Sequence, residues 1–400
     1  MGKWRSIDYE KWLKSELRTL ESSKINNEDK ERIRQYLDFR LANGVSVARA
    51  SREIICLRLL CERYGLSLGD IDEARLNKSL ARLNTSGLKV GTVNEFRKAI
   101  RWYLKFIGRE DLAVKIKKKE PKDNELTKSD LLTKEELLKL ISVAINDRDP
   151  ALIACHYDLA CRPEELLTLT VGAFIRDSFG IRVELKRSKT FRRSLYLSSS
   201  LPFVARWLSV HPLRDDPEAP MWLDLNKFRR RIVAPIDHFA YRRLLIRLAK
   251  RAGIKKKITP YRLRHTGVTD YAEILPEPLL CKRAGLVPGS KNLRRYTKIV
   301  EIDADKKILK ELGLIKEEEA KAEIKKLQPL KCGVCGELNE PSRDRCWKCK
   351  AVLDPIRLAK EFNGSEIIES VMDSNLEKMI EEKIKKMFLE MLRGEGKIKL

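Results

Sequence analysis

Thr259-Pro-Tyr-Arg-Leu-Arg-His-Thr266 and, shortly downstream, Ala284-Gly-Leu-Val-Pro-Gly-Ser-Lys-Asn-Leu-Arg-Arg-Tyr-Thr297 are the two segments on which the reading of this chain turns. Threonine followed by proline is a helix opening, with the threonine as cap and the proline in the first turn. Tyr261 and Arg264 then fall three residues apart on one face, and His265 one residue further. Ser290 is placed to cap a last short helix, with Tyr296 about two turns along it. A lone tyrosine on an amphipathic helix ordinarily packs into a core with its hydroxyl bonded. What gives Tyr296 weight is its company: an arginine on the preceding helix, within a strongly basic chain.

Working outward, the 400 residues predict two or three domains with real hydrophobic cores. Lys and Arg number 83 against 58 Asp and Glu, a net charge of +25. So large a surplus favours a polyanionic partner, although charge alone does not separate a DNA enzyme from a ribosome-associated protein. Plentiful apolar and aromatic residues argue against disorder. No apolar run approaches a membrane span, and Met1-Gly-Lys-Trp-Arg5 lacks the apolar core of a signal peptide, so no membrane partner is expected. Cys56, Cys61, Cys155, Cys161 and Cys281 lie scattered in apolar contexts and read as buried thiols. A reducing, cytoplasmic setting is expected.

Residues 1–114 read as all-helical. The segments 31–40, 54–60 and 93–104 repeat apolar residues at three- and four-residue steps, and Gly44, Gly65, Gly87 and Gly108 sit where such patterns stop. Residues 115–128, with Lys115-Ile-Lys-Lys-Lys-Glu-Pro121 at their head, break the periodicity and read as a basic linker. A second domain, 129–315, opens with the capping box Thr133-Lys-Glu-Glu136. After Arg162 the period changes, and residues 173–176, 181–185 and 194–197 read as short strands. The fold class is therefore mainly α with a small antiparallel sheet, an α+β arrangement. Residues 331–353 hold a cysteine motif. Residues 354–400 read as an amphipathic helical tail, with Ile368, Met372, Leu376, Ile380, Ile384, Met387 and Met391 on one stripe suited to self-association.

Further candidates precede the opening segments. Cys161-Arg-Pro-Glu-Glu-Leu-Leu-Thr-Leu169 puts Arg162 at the start of a helix that Pro163 opens, with Glu164 and Glu165 in its first turn. An arginine at a helix N-terminus is attractive to phosphate. Ser188-Lys-Thr190 reads as a turn feeding a strand, with Lys189 at its tip. A turn lysine taken singly is only solubilising.

In this order the residues resemble the catalytic domain of tyrosine recombinases, the phage-type integrase family. The resemblance covers residues from about 130 to 300 and rests on Arg-x-x-Glu-Leu-Leu-x-Leu at 162–169, Ser-Lys-Thr at 188–190, Leu-Arg-His-Thr at 263–266 and Tyr-Thr at 296–297. Ala-Gly-Leu-Val-Pro-Gly-Ser-Lys at 284–291 is similar to archaeal members, and the helical N-terminal part resembles the family's core-binding domain. The resemblance implies a site-specific recombinase or integrase that acts on double-stranded DNA as a dimer or tetramer. Arg162 and Arg264 would grip the phosphate, Tyr296 would form a 3′-phosphotyrosyl link, and Lys189 would protonate the leaving 5′-oxygen, with no metal or nucleotide needed. A type IB topoisomerase-like relaxing enzyme, or a DNA-binding protein retaining the fold with impaired catalysis, are the alternatives. Two positions depart from the pattern. Tyr261 replaces a histidine but can still offer a hydroxyl, whereas Leu286 stands where the family has His or Trp and offers no donor, which implies an enzyme that is slow or that relies on another group such as His265.

Cys332-Gly-Val-Cys335 and Cys346-Trp-Lys-Cys349 form two CxxC knuckles separated by ten residues. Four thiolates so spaced suit a tetrahedral, structural Zn²⁺, with no open position for catalysis. The expected module is a zinc ribbon.

Overall fold

A computed structural model describes residues 4–5, 7–120, 127–186, 191–290, 292–294, 296, 312, 327–341 and 343–353. The expected hairpin tip with Lys189 and the expected tail helix 354–400 lie outside the described residues. The chain divides into two units, residues 7–125 and residues 1–6 with 126–400.

The first unit is helical: α1 (Tyr9–Glu21), α2 (Asn27–Ala42), α3 (Val47–Tyr64), α4 (Glu73–Asn84), α5 (Val90–Phe106) and α6 (Glu110–Lys115). Asp8, Asn26 and Asp72 cap α1, α2 and α4 by accepting from first-turn amides. Gly65 ends α3 in the left-handed conformation at φ 69°. Ile33, Leu57, Leu60, Ile100 and Tyr103 close the core. A buried carboxylate, Glu53, accepts from Tyr36 Oη at 2.9 Å and Arg40 Nε at 2.8 Å, which satisfies a charge that would otherwise be costly to bury. The segment expected as a tether begins later than its composition suggested. Ile116 is buried, and Asn94 on α5 bonds both the N–H and the carbonyl of Lys119, so residues up to 120 belong to this unit.

The second unit holds α7 (Lys134–Ser142), α8 (Arg148–Leu159), α9 (Pro163–Leu167), a three-stranded sheet, α10 (Leu201–Val210), α11 (Leu225–Arg229), α12 (His238–Arg251), α13 (Pro260–Ile274) and α14 (Glu277–Ala284). The capping box at Thr133 is present in full. Strands β1 (Phe174–Asp177), β2 (Gly180–Leu185) and β3 (Arg193–Tyr196) form an antiparallel meander, with Phe174 opposite Val183 and Leu185 opposite Arg193. Ile181, Val183 and Leu185 face the core, and Arg182 and Glu184 do not, as a half-buried strand requires. Trp4 Nε1 donates to the Glu218 carbonyl at 2.8 Å, which attaches the N-terminal segment to this unit. No helix among the described residues is long and apolar enough to cross a membrane.

The helix α8 is buried at every residue but Pro150, and α13 packs directly on it. Gly267 makes that approach possible, since a Cβ there would overlap the Tyr157 carbonyl oxygen and press on Ala160. Helix propensity alone favours alanine over glycine by about 1 kcal/mol. Here the sign should reverse. Gly267→Ala is expected to destabilise by roughly 1–3 kcal/mol, because backbone cannot yield as a side-chain tip can. Urea midpoints of the two proteins check this, and a stabilised variant would show that the α8–α13 contact is loose.

Candidate active site

Pro163 supplies the first helical φ of α9, and Arg162 is its N-cap residue. The Arg162 backbone N–H donates to Glu165 Oε2 at 2.9 Å, and its Nη1 to Glu165 Oε1 at 3.1 Å. Glu165 is buried, and Arg193 Nη2 donates to its other side at 2.8 Å. One carboxylate thus braces Arg162 from its own helix and anchors the start of β3. Arg193 reaches on from there, its Nε donating to the Arg283 carbonyl at 3.0 Å.

Arg264 comes in from α13. It is only 4% exposed, and its Nη1 donates to the Ala160 carbonyl at 2.7 Å. Its Nη2 donates to the Ala284 carbonyl at 2.9 Å, while Arg162 Nη2 donates to the next carbonyl, Gly285, at 3.0 Å. Two consecutive carbonyls at the C-terminus of α14 therefore hold the two guanidiniums side by side, the end of the helix where cations are favoured. Burial lowers the proton affinity of Arg264, and nearby Tyr296 opposes that shift. Ala160 ends α8 at φ 47°, a left-handed value that directs its carbonyl to Arg264. Gly285 is left-handed too, at φ 61°, and a Cβ there would stand 2.7 Å from Arg193 Nη1. Behind Arg264, His156 bonds Tyr241 Oη at 2.9 Å and is held uncharged, its pKa lowered to about 3 by burial and then by Arg264.

Asp158 ties these parts together. It is fully buried and accepts from Ser198 and Ser200, from Tyr271 Oη at 2.8 Å and from Arg283 Nη2 at 2.5 Å. Arg283 also donates to the Asp158 carbonyl and lies over the Tyr271 ring at 4.0 Å. Through this residue α8, the β3–α10 connection, α13 and α14 share one anchor.

Tyr296 sits in a helical turn opened by Ser290 and is 3% exposed. It belongs to one buried cluster with Ala160, Val268, Leu280, Ala284, Leu286 and Leu293. Leu286 is buried in the same apolar cluster as the tyrosine and offers no donor. The Tyr296 hydroxyl lies 2.7 Å from His265 Nδ1. Tyr261 stands outward, 51% exposed, its ring 6.3 Å from that of His265. The face shared along α13 is thus Tyr261 with His265, its i+4 neighbour, whereas Arg264 turns into the protein. Of the residues expected from sequence, Arg162, Arg264 and Tyr296 come together, Tyr261 flanks them, and Lys189 lies outside the described residues. Arg193, Asp158 and the carbonyls of Ala160, Ala284 and Gly285 escaped the sequence reading.

The four motif cysteines also converge. Their Sγ atoms all lie within 4.8 Å of one another, with Cys332 to Cys349 at 3.5 Å and Cys335 to Cys346 at 3.6 Å. For comparison, thiolates about 2.3 Å from a shared tetrahedral ion would stand roughly 3.8 Å apart. The frame is two turns beside β4 (Leu330–Lys331) and β5 (Leu338–Asn339), ended by Gly336 and Lys350 at φ 71° and 65°. The donor set fits a metal ion. The module rests on α10, where Arg206 pairs with Asp147 at 2.7 Å and with Glu340 at 3.5 Å.

Residues 130–275 match the phage integrase family. The chain is 31% identical over 199 residues to the tyrosine recombinase XerA of Pyrococcus horikoshii, a match covering 49% of this chain and 65% of that protein. It is 27% identical over 197 residues to the XerA of Pyrococcus furiosus, covering 48% and 65%. Over these residues the chain is similar to tyrosine recombinases. It spans 65% of the length of these curated relatives. Among solved structures it is similar in fold to a lambda integrase dimer bound to a COC′ core site, with a TM-score of 0.53 and 13% identity over 67% of this chain and 77% of that one. The XerH recombinase in a post-cleavage complex gives a TM-score of 0.50 and 17% identity over 79% of this chain and 98% of that one. The family match ends before Tyr296, whose surroundings are given by the geometry alone.

Proposed function

We propose that this chain is a site-specific DNA recombinase or integrase that cleaves and rejoins strands of double-stranded DNA through a 3′-phosphotyrosyl intermediate on Tyr296. The observation that carries the reading is the pair of guanidiniums held on consecutive carbonyls beside Tyr296. Arg162 and Arg264 would neutralise the charge that builds on the non-bridging oxygens at the transition state. The Tyr296 oxygen forms the new bond to phosphorus as the bond to the 5′-oxygen breaks. Lys189 is assigned the proton for that leaving oxygen, and Tyr261 a place at the edge of the phosphate. Glu165 and Arg193 position Arg162. Because the covalent link conserves the bond energy, a 5′-hydroxyl from a partner strand reverses the step and completes exchange.

Residues 7–125 are assigned to grasping the duplex with their basic faces, and the cysteine module to a structural Zn²⁺. Relatives of the same fold occur as a dimer on a core site and a tetramer on a Holliday junction, which supports assembly of this chain on DNA in a like manner. The test is to incubate the protein with a randomised duplex library carrying nicks, recover denaturant-resistant adducts and map the modified peptide. The reading requires adducts on Tyr296. Tight binding with no adduct would instead favour a DNA-binding protein that keeps the fold without the chemistry.

A further inference from the structure

We propose that His265 accepts the phenolic proton of Tyr296 during strand cleavage and returns it on rejoining; the proposal rests on the recombinase reading above. The nucleophile is nearly sealed from solvent, so its proton needs an internal acceptor. His265 Nδ1 is in hydrogen-bond contact with the hydroxyl at 2.7 Å, and the two rings lie 5.6 Å apart. The neighbouring positions do not compete. Tyr261, three residues before Arg264, is turned outward and ends in a phenol, a poor proton acceptor at neutral pH. Leu286 is apolar and buried in the same cluster as the tyrosine. Among the described residues, the other titratable or charged groups around the pair are Arg264 and Tyr271 on the same helix, Cys161, Arg162 and Glu165 at the start of α9, Cys281 of α14 and exposed Arg294 on the tyrosine's own turn. Arginine cannot take a proton, Glu165 is committed to Arg162 and Arg193, and burial pushes the Cys161 and Cys281 thiols and the Tyr271 phenol up, which keeps them protonated.

The step balances. As the Tyr296 oxygen bonds to phosphorus, its proton passes to Nδ1, the P–O5′ bond breaks and the 5′-oxygen takes a proton from the acid on the leaving side. In the reverse step the imidazolium gives the proton back to the departing phenolate. Nδ1 must be bare beforehand, so neutral His265 carries its hydrogen on Nε2. Cleavage should accordingly rise with pH through the titration of His265 and level off above it.

The experiment is single-turnover cleavage from pH 5.5 to 8.5, on duplexes bearing the sequence recovered in wild-type adducts. Two forms are compared, one with an ordinary phosphodiester and one with a 5′-bridging phosphorothiolate, whose thiolate leaves without a proton. His265→Asn keeps a polar atom near Nδ1 but accepts no proton. It should cleave both duplexes about 10²–10⁴-fold more slowly and lose the rise with pH, with DNA binding unchanged. Lys189→Ala, by contrast, should recover on the phosphorothiolate. Wild-type cleavage that is flat across this range overturns the assignment without recourse to any variant. Cleavage by His265→Asn at the wild-type rate, or its recovery on the phosphorothiolate, overturns it equally. The recombinase reading survives these outcomes, whereas failure of the wild-type chain to form any adduct removes both.

Discussion

Tyr296→Phe is expected to abolish the covalent adduct, a loss of at least about 10⁴-fold, while DNA binding stays within a factor of two or so. The hydroxyl is the only part of the side chain assigned to chemistry. The side chain lies in one buried cluster with Leu286, Leu293, Leu280 and Ala160, and phenylalanine keeps that apolar burial. It removes the 2.7 Å bond to His265, at about 1 kcal/mol of stability for a lost hydrogen bond. Binding should depend instead on the basic surfaces, which the substitution does not touch. A mobility shift read beside a denaturing gel separates the two effects. An adduct that persists in the phenylalanine variant would mean that another residue is the nucleophile.

Metal removal is expected to have the largest effect on structure. Among the described residues the cysteine module has almost no apolar core, with Cys332, Cys346 and Ala351 buried and Cys349 and Leu353 against them. So small a cluster cannot offset the conformational entropy of ordering its two knuckles. A bound Zn²⁺ would supply it, at an apparent ~10–16 kcal/mol in zinc-finger peptides near neutral pH. Chelation should therefore melt residues 327–353 locally and open Arg345 and Lys348 to protease, while the buried α8–α13 core persists. Metal analysis should find one zinc per chain before chelation. An unchanged spectrum and digestion pattern after complete chelation would mean that the four sulfurs hold no structural ion.

The parts of this molecule legible in its sequence are those whose cause is local. Thr133 and Glu136 make their capping box within one turn, Pro163 opens α9 where Arg162 must stand, and alternation at Ile181, Val183 and Leu185 marks a half-buried strand. The cysteine cluster was legible for the same reason, since two short knuckles need only meet once. The partners of the arginines were not. Arg193 reaches Glu165 across 28 positions, and Arg264 reaches Ala284 across 20, choices set by how helices dock. Nor does periodicity tell which of two adjacent side chains turns inward, and a rotation of one residue put Arg264 in the interior and paired Tyr261 with His265. The basic run after Lys115 read as a tether because its side chains are polar, yet its backbone is what α5 holds through Asn94.

The anchoring of α14 has a mechanical consequence. Arg283 is clamped to Asp158, and the Gly285 carbonyl is engaged by Arg162, so the chain is a fixed mount up to that glycine. A few residues on, Gly289 lies at φ 67° with open space where a Cβ would be, and exposed Val287 precedes it. The Gly289 N–H donates to Glu277 Oε1 at 3.2 Å, so this turn is tied back to the start of α14. The two guanidiniums and Tyr296 thus hang from different anchors, the former on the Ala284 and Gly285 carbonyls and the latter on His265, so a substitution in the 287–290 turn should disturb the tyrosine and leave both arginines in place.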